Sequence, residues 1–170
     1  MPKNNRVFVI AEIGPNHNGS YKRAAKMIKL IKDSGVDAVK FQLANPHDVY
    51  CKDAFKANYQ VKNTGKGSII EMSKKNQLKK EDHLKISKLC KKFKLEYMCS
   101  AFDLKSLKYL VNKLKIKRIK IPSGEIKSLD QLQYLSNIKK KIILSTGMSS
   151  IEEIKKSIKI LNKNFKKNIT

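Results

Sequence analysis

Five short apolar runs alternate along the chain with amphipathic stretches. The runs are residues 7–13 (VFVIAEI), 36–42 (VDAVKFQ), 95–101 (LEYMCSA), 116–121 (IKRIKI) and 141–145 (KIILS). Near-continuous apolar runs of this length predict strands covered on both faces, as a parallel sheet requires. Between and after them, apolar residues recur at helical spacing. The stripes are Ala24, Met27, Ile28 and Ile31; Ile86, Leu89, Cys90 and Phe93; Leu107, Leu110, Val111 and Leu114; Leu129, Leu132 and Leu135; and Ile151, Ile154, Ile158 and Leu161. Ser20 and Asp103 stand where helix caps are needed, Gly35 stops the first helix, Ser128 begins a short one, and Ser150 with Glu153 three residues on forms a capping box. Residues 43–77 show neither period and contain Pro46, Gly65 and Gly67, which predicts a long irregular loop of the kind that is usually functional or disordered in a compact domain.

Strand followed by helix, repeated without any hairpin turn, demands a parallel sheet with right-handed crossovers. Two architectures satisfy this, a doubly wound open sheet and a (β/α) barrel. A complete barrel has eight units in roughly 250 residues, whereas this chain has 170. Its tail, 162–170 (NKNFKKNIT), carries no terminating motif. The expectation is therefore a TIM (β/α)8 barrel of which about five units are present, with residues 1–170 forming its N-terminal part.

In both architectures chemistry gathers beyond the carboxyl ends of the strands. Those ends carry Glu12; Lys40 and Gln42; Ser100; Lys120, Ser123 and Glu125; and Ser145. Each has a plain structural explanation when taken singly, since Ser caps helices and Lys extends along apolar surface to water. Together they place ammonium groups, hydroxyls and carboxylates on one rim. Ammonium groups and hydroxyls suit a small, multiply anionic ligand. The carboxylates suit a hydroxyl-rich partner, a metal, or general acid–base work. Neither a Walker loop nor GxGxxG is present, which argues against a nucleotide.

The chain has 38 Lys plus Arg against 14 Asp plus Glu, a net charge of +24. Such an excess permits attraction to phosphate backbones. The basic residues are nearly all Lys, however, spread over helical segments and not interleaved with aromatics, as on solvated faces. Cys51, Cys90 and Cys99 are odd in number and lack CxxC spacing, so neither a zinc site nor a disulfide framework is implied, and a reducing cytoplasm fits. No apolar run approaches the roughly 18–20 residues of a membrane span. His17, in the first turn, reads as a structural hydrogen-bonding residue; His47 in the long loop and His83 in a helical first turn read as solvated.

The motifs Ala11-Glu12-Ile13-Gly14, Asn16-His17-Asn18-Gly19, Val39-Lys40-Phe41-Gln42, Ser100 to Asp103, Lys120-Ile121-Pro122-Ser123-Gly124-Glu125 and Leu144-Ser145-Thr146-Gly147-Met148 resemble, in order, those of the sialic acid synthase family. This family comprises N-acetylneuraminate synthases and their legionaminate and pseudaminate relatives. The resemblance implies a (β/α)8 barrel and a metal-dependent condensation of phosphoenolpyruvate with an N-acetylated hexosamine such as N-acetylmannosamine. The reaction releases phosphate and gives a nonulosonic acid. By the same resemblance Lys40, Ser100, Lys120, Ser123 and Ser145 hold phosphoenolpyruvate, and Gln42 and Glu125 contact the sugar. Asn63 also matches a sugar contact, with its spacing to Ser68 shifted by one residue. Glu12 lies near the reacting carbonyl and its activated water.

Ala101 stands where the family has Pro, and Pro122 where it has Ala. The family's two metal-binding histidines lie on the seventh and eighth strands, and its C-terminal antifreeze-like domain supplies an Arg to the partner subunit. The resemblance thus implies a divalent metal, Mn or Mg, and a homodimer for a full-length cytoplasmic enzyme. It implies no metal ligands and no activity in residues 1–170 alone. Two alternatives stand beside this reading: a basic α/β module that binds nucleic acid or another polyanion, and a phosphoenolpyruvate-dependent aldol synthase acting on a phosphorylated sugar. The first predicts sub-micromolar DNA binding with a steep salt slope. The synthase reading predicts only weak, nonspecific association, to be checked by titrating the chain with duplex DNA at two salt concentrations.

Overall fold

The computed structural model describes residues 6–164 and 169–170. Its strands, β1 (Ile10–Glu12), β2 (Ala38–Leu43), β3 (Glu96–Ala101), β4 (Arg118–Ile121) and β5 (Lys141–Leu144), form one parallel sheet in the order β1-β2-β3-β4-β5. Each strand is laid down on the same side of its predecessor. A doubly wound sheet reverses its order partway and carries helices on both faces, whereas barrel strands run in sequence with all helices outside. The sequential order therefore selects the barrel-type α/β architecture of the two that the sequence allows.

The helices are α1 (Tyr21–Ile31), α2 (Pro46–Val49), α3 (Asn58–Thr64), α4 (Ile69–Asn76), α5 (Lys80–Lys92), α6 (Leu104–Asn112), α7 (Leu129–Ser136) and α8 (Ile151–Leu161). Val39, Phe41 and Leu43 of β2, Tyr97, Cys99 and Ala101 of β3, and Ile119 and Ile121 of β4 share a core with Ala24, Ile28, Ile86, Leu110 and Leu132 of the helices. The alternate residues of β2 and β4, Lys40, Gln42 and Lys120, are only partly buried. The two-sided burial expected from the sequence thus holds for most of β3 but not for β2 and β4, whose other face carries the polar groups.

Ser20 caps α1, its Oγ accepting from the Arg23 N–H at 3.3 Å, and Asp103 caps α6, its Oδ1 accepting from the Ser106 N–H at 2.7 Å. Asp103 Oδ2 also accepts from the Asn45 N–H at 2.7 Å, tying the start of the long connection to β3's exit. The Ser150–Glu153 capping box forms as predicted.

Several expectations are corrected. The first strand is shorter than 7–13, because β1 is an edge and Asp37 Oδ2 takes the Val9 N–H at 2.8 Å in place of a ladder bond. Residues 43–77 are not irregular: α2, α3 and α4 form there. Pro46 opens α2, Gln60 Oε1 accepts from the Ala57 N–H at 2.9 Å before α3, and Ser68 Oγ accepts from the Ile70 and Glu71 N–H groups to start α4. Leu129 is 51% exposed, not inward; Ser128 does begin α7, with its hydroxyl turned back to Glu125. Ile151 and Ile158 of α8 are also exposed; α8 packs on α7 by one flank, burying Ser157 and Leu161. Part of the tail 162–170 lies outside the described residues. Ile169 pairs in parallel with Ile142, and Thr170 exchanges backbone bonds with Ile142 and Leu144 at 2.9 Å, so the sheet is extended beyond β5.

His83 is not solvated. It shares a helical stripe with Ile86 and Cys90, all three fully buried, and its Nδ1 lies 2.7 Å from Tyr97 Oη. His17, by contrast, has the hydrogen-bonding role expected, its Nδ1 accepting from the Gly19 N–H at 3.1 Å while the ring stacks on Phe41. The three cysteines are free, Cys51 exposed and the other two buried. No helix among the described residues is long and apolar enough to cross a membrane.

Burial pushes the His83 imidazole down to about 4 from its ordinary 6.5. Above pH 6.5 both folded and unfolded chains leave it neutral. Between 6.5 and 4 the unfolded chain binds the proton and the folded chain does not, so stability falls as pH falls, by ~3 kcal/mol over that window. Urea unfolding at the two ends of the window is expected to show a smaller loss in His83→Gln than in the unchanged chain. Equal losses would mean that His83 titrates normally.

Candidate active site at the strand exits

The rim is assembled by strand register. Glu12 of β1 pairs with Lys40 of β2, Gln42 of β2 with Ser100 of β3, and Ser100 with Lys120 of β4. Strands alternate their side chains between two faces, so this register delivers all five to the face opposite the helices. Lys40 forms an ion pair with Glu12, the lysine largely buried and the carboxylate half-exposed. Lys120 donates through Nζ to Ser145 Oγ, at the exit of β5, and to the Ile121 carbonyl at 3.2 Å. Ser100 is buried between them in the sheet.

Lys40 and Lys120 are close enough to feel each other. Burial, then the charge of Lys40, lowers the pKa of Lys120 from its ordinary value, with Glu12 acting in the opposite sense. Two cations sharing one carboxylate leave a net positive site. An arriving dianion would relieve their repulsion.

Two predicted residues lie beside this group. Pro122 is followed by a 3-10 turn, Ser123–Glu125. Ser123 faces the β5 exit loop, where a Cβ on Gly147 would stand 3.7 Å from its Oγ. Glu125 is held onto the start of α7, where its Oε2 accepts from Ser128 Oγ and from Gln131 Nε2 at 2.8 Å. No bond among the described residues joins Glu125 to Glu12, Lys40 or Lys120.

Asn63 lies on α3, across a cavity of about 590 Å³ from Gln42. This cavity adjoins the rim at Gly14, where the chain turns with φ +50° and a Cβ would stand 3.2 Å from Glu12 Oε1 and 3.5 Å from Gln42 Nε2. A side chain at residue 14 would push between the carboxylate and the amide. Besides Gln42 and Asn63, the cavity is lined by the amides of Asn16, Gln60, Asn76 and Gln77. These four were not recognisable from strand ends, because they come from turns and from helices inside the 43–77 connection. Asn16 belongs to the Asn16-His17-Asn18-Gly19 motif, and the one sequence signal of the other three is the density of Asn and Gln in 43–77. The connection is anchored at Gly19, where a Cβ would fall 2.3 Å from the Lys75 carbonyl oxygen; only glycine allows the first turn to lie this close to the end of α4.

Among the described residues no group of three or more His, Cys, Asp or Glu could hold a metal ion. The residues present do not fit the metal that the resemblance implies, and none of the chemistry assigned to these side chains passes through one.

The N,N'-diacetyllegionaminic acid synthase of Campylobacter jejuni is 40% identical to the chain over 168 residues, covering 97% of the chain and 50% of that protein. The enzyme of the same name from Legionella pneumophila is 40% identical over 152 residues, covering 89% of the chain and 42% of that protein. The chain thus spans about half the length of these curated relatives. Among solved structures, the N-acetylneuraminic acid synthetase of Leptospira borgpetersenii in complex with citrate superposes with a TM-score of 0.82 at 26% identity, covering 98% of the chain and 53% of that structure. The NeuB family model matches residues 27–170, and on that match, with its motifs and its sequential parallel sheet, the chain belongs to the NeuB family.

Proposed function

We propose that the chain carries the phosphoenolpyruvate side and the sugar-facing wall of a nonulosonic acid synthase. Its reaction is the condensation of phosphoenolpyruvate with an N-acetylated hexosamine, N-acetylmannosamine or a close analogue, with release of phosphate. The observation that carries this is the juxtaposition of Lys40 and Lys120 at one rim, braced by Glu12 and Ser145. The named activities of the relatives, and the citrate bound by the Leptospira structure, support an anionic substrate meeting a sugar.

Phosphoenolpyruvate brings a carboxylate and a phosphate, both of which must be neutralised before its C3 can approach an electrophilic carbonyl. Lys40 and Lys120 supply fixed positive charge, and Ser100, Ser123 and Ser145 supply hydroxyls to orient oxygens, so little reorganisation is needed at the moment of reaction. A C–C bond forms between C3 and the sugar carbonyl carbon. The sugar carbonyl π bond opens to an alkoxide as the enol electrons pass through C3 into the new bond. Water adds at C2 and gives up a proton, the alkoxide gains one, and the C2–O bond to phosphate breaks to leave the 2-keto group and inorganic phosphate. Glu12, freed from Lys40 as the anion binds, is placed to accept the proton of that water. Gln42 and Asn63 face the sugar across the cavity, and Glu125 would join them on release from Ser128. The divalent metal, a homodimeric assembly and a cytoplasmic site of action belong to this proposal for the whole enzyme, in which residues 1–170 alone are inactive.

Lys120→Ala is expected to weaken phosphoenolpyruvate binding by ~2 kcal/mol or more, the usual loss when one member of a desolvated charge pair is removed, or about 30-fold. Isothermal titration of folded protein measures it, and an unchanged affinity would remove the central assignment. Because the Lys120 pKa is lowered, its charge is lost at a lower pH than that of an ordinary lysine at 10.5. Phosphoenolpyruvate affinity should therefore decline with rising pH below that value. Lys120→Arg, whose charge persists, should shift the decline to higher pH.

A further inference from the structure

A cavity of about 700 Å³ opens at the entry ends of β2, β3 and β4, the end of the sheet away from the candidate site. Its floor is apolar, with Val36, Leu95, Leu114 and Ile116 beside Phe8, which precedes β1. Its lip is cationic. Lys91 comes from the last turn of α5, Lys94 from the turn between α5 and β3, and Lys115 and Lys117 from the turn between α6 and β4. The two carboxylates at this end are already engaged, Asp37 by Arg6 at 2.9 Å and Glu96 by Arg118 at 3.1 Å. Among the described residues none of the four lysines forms an ion pair.

Two of these lysines hold backbone positions that do not favour a side chain. Lys94 has φ +59° and Lys115 has φ +51°, in the left-handed region where a Cβ crowds the following carbonyl. The corresponding turn from α1 to β2 uses Gly35 at φ +81°, with open space around it, so the backbone conformation alone accounts for that glycine. The helix dipole favours a cation in the last turn of a helix, which explains Lys91. It does not explain lysine in the place of glycine at two successive turns around one cavity. Strain kept where glycine would remove it points to a use for the side chain.

An apolar concavity with a few charged groups at its lip is built like a small-molecule site, and its volume falls in that range. The complement is a small anion with a flat, weakly polar body. The lysines come as two pairs, Lys91 with Lys94 and Lys115 with Lys117, which suits two linked phosphates. Ammonium groups bind phosphate as point charges, so no glycine-rich loop is needed. A nucleic-acid duplex would lie across the lip and leave the floor uncovered. In (β/α) folds the reacting groups gather at the strand exits, so a ligand at the entries is not a substrate of the rim.

We propose that the cavity at the strand entries binds a nucleoside diphosphate, its phosphates on the two lysine pairs and its base over Phe8, Val36 and Leu114. This does not rest on the synthase reading. The test is calorimetric titration of the full chain with ADP at about 0.15 M salt, where the field of distant lysines is screened beyond about 8 Å. Lys94→Gly combined with Lys115→Gly should weaken ADP binding about tenfold or more, the loss expected for two lysines at a solvated lip. The same pair should raise the thermal midpoint, because glycine relieves the left-handed strain. Lys94→Gln combined with Lys115→Gln, which keeps that strain, should lose the same affinity without the rise. Pyrophosphate, which lacks the base, should bind more weakly than ADP, and Lys120→Ala should bind ADP unchanged. Undiminished ADP affinity in either double variant would overturn the proposal, as would no binding by the unchanged chain. Loss of ADP binding in Lys120→Ala would place the nucleotide at the strand exits and overturn it too. Displacement of ADP by duplex DNA at equal phosphate concentration would show a nucleic-acid surface instead.

Discussion

The register of the central strands is the constraint on which the rest depends. From Ala38↔Glu96 to Leu43↔Ala101, β2 and β3 pair without a bulge, and the same parallel alignment links Glu12 to Lys40 on one side and Ser100 to Lys120 on the other. A slip of one residue in any of these pairings would exchange the two faces of a strand. It would turn Phe41 and Val39 toward the rim and drive Lys40 and Gln42 into the helix-packed core. The cost of burying that ammonium without a partner makes the correct register the only one compatible with the core. The apolar residues therefore position the site indirectly. Val39, Phe41, Ile119 and Ile121, packed against the helices, fix where their polar neighbours emerge.

The rim is then an electrostatic compromise. Lys40 is stabilised by Glu12, while Lys120 has a hydroxyl and a carbonyl as its bonded partners and has its pKa lowered by burial and by Lys40. Removing Glu12 would leave two partly buried cations facing each other. Adding an anion satisfies both. Under the proposed function, the repulsion that makes the empty rim less favourable is what a bound anion would relieve.

Much of this was legible from residue order. The apolar runs located all five strands, the helical stripes located the helices that pack on them, and Ser20, Asp103 and the Ser150–Glu153 pair form the caps their spacing implies. The polar residues that end those runs are the ones that register brings together. What escaped was set by distant partners. His83 looked like a solvated first-turn residue until its place above Ile86 and Cys90 put it against Tyr97. Leu129 looked inward by its spacing to Leu132 and Leu135, but it is 51% exposed. Ile151 and Ile158 follow the correct period, yet period alone cannot say whether a neighbour exists to cover a stripe. The helices of 43–77 are four to eight residues long, too short for periodicity to stand out, and their local bonds from Gln60 and Ser68 lie outside the strand–helix pattern.

That short-helix segment shows how one backbone can hold two chemically opposed surfaces side by side. A lysine-rich sequence tends to place cations everywhere, and under the proposed function that tendency serves an anion at the strand exits. Short helices sort their side chains: over 58–77 Lys62, Lys66, Glu71, Lys74 and Lys75 are exposed, while Gln60, Met72, Asn76 and Gln77 are partly buried along the cavity. The sorting survives only if the segment cannot rotate, and its tether is the close approach of Gly19 to the Lys75 carbonyl, itself held by the His17–Gly19 bond and the stack of His17 on Phe41. Phe41 lies between Lys40 and Gln42 in β2 and points to the opposite face. One strand therefore presents Lys40 and Gln42 on its open side, and on its packed side anchors the turn that meets the end of α4.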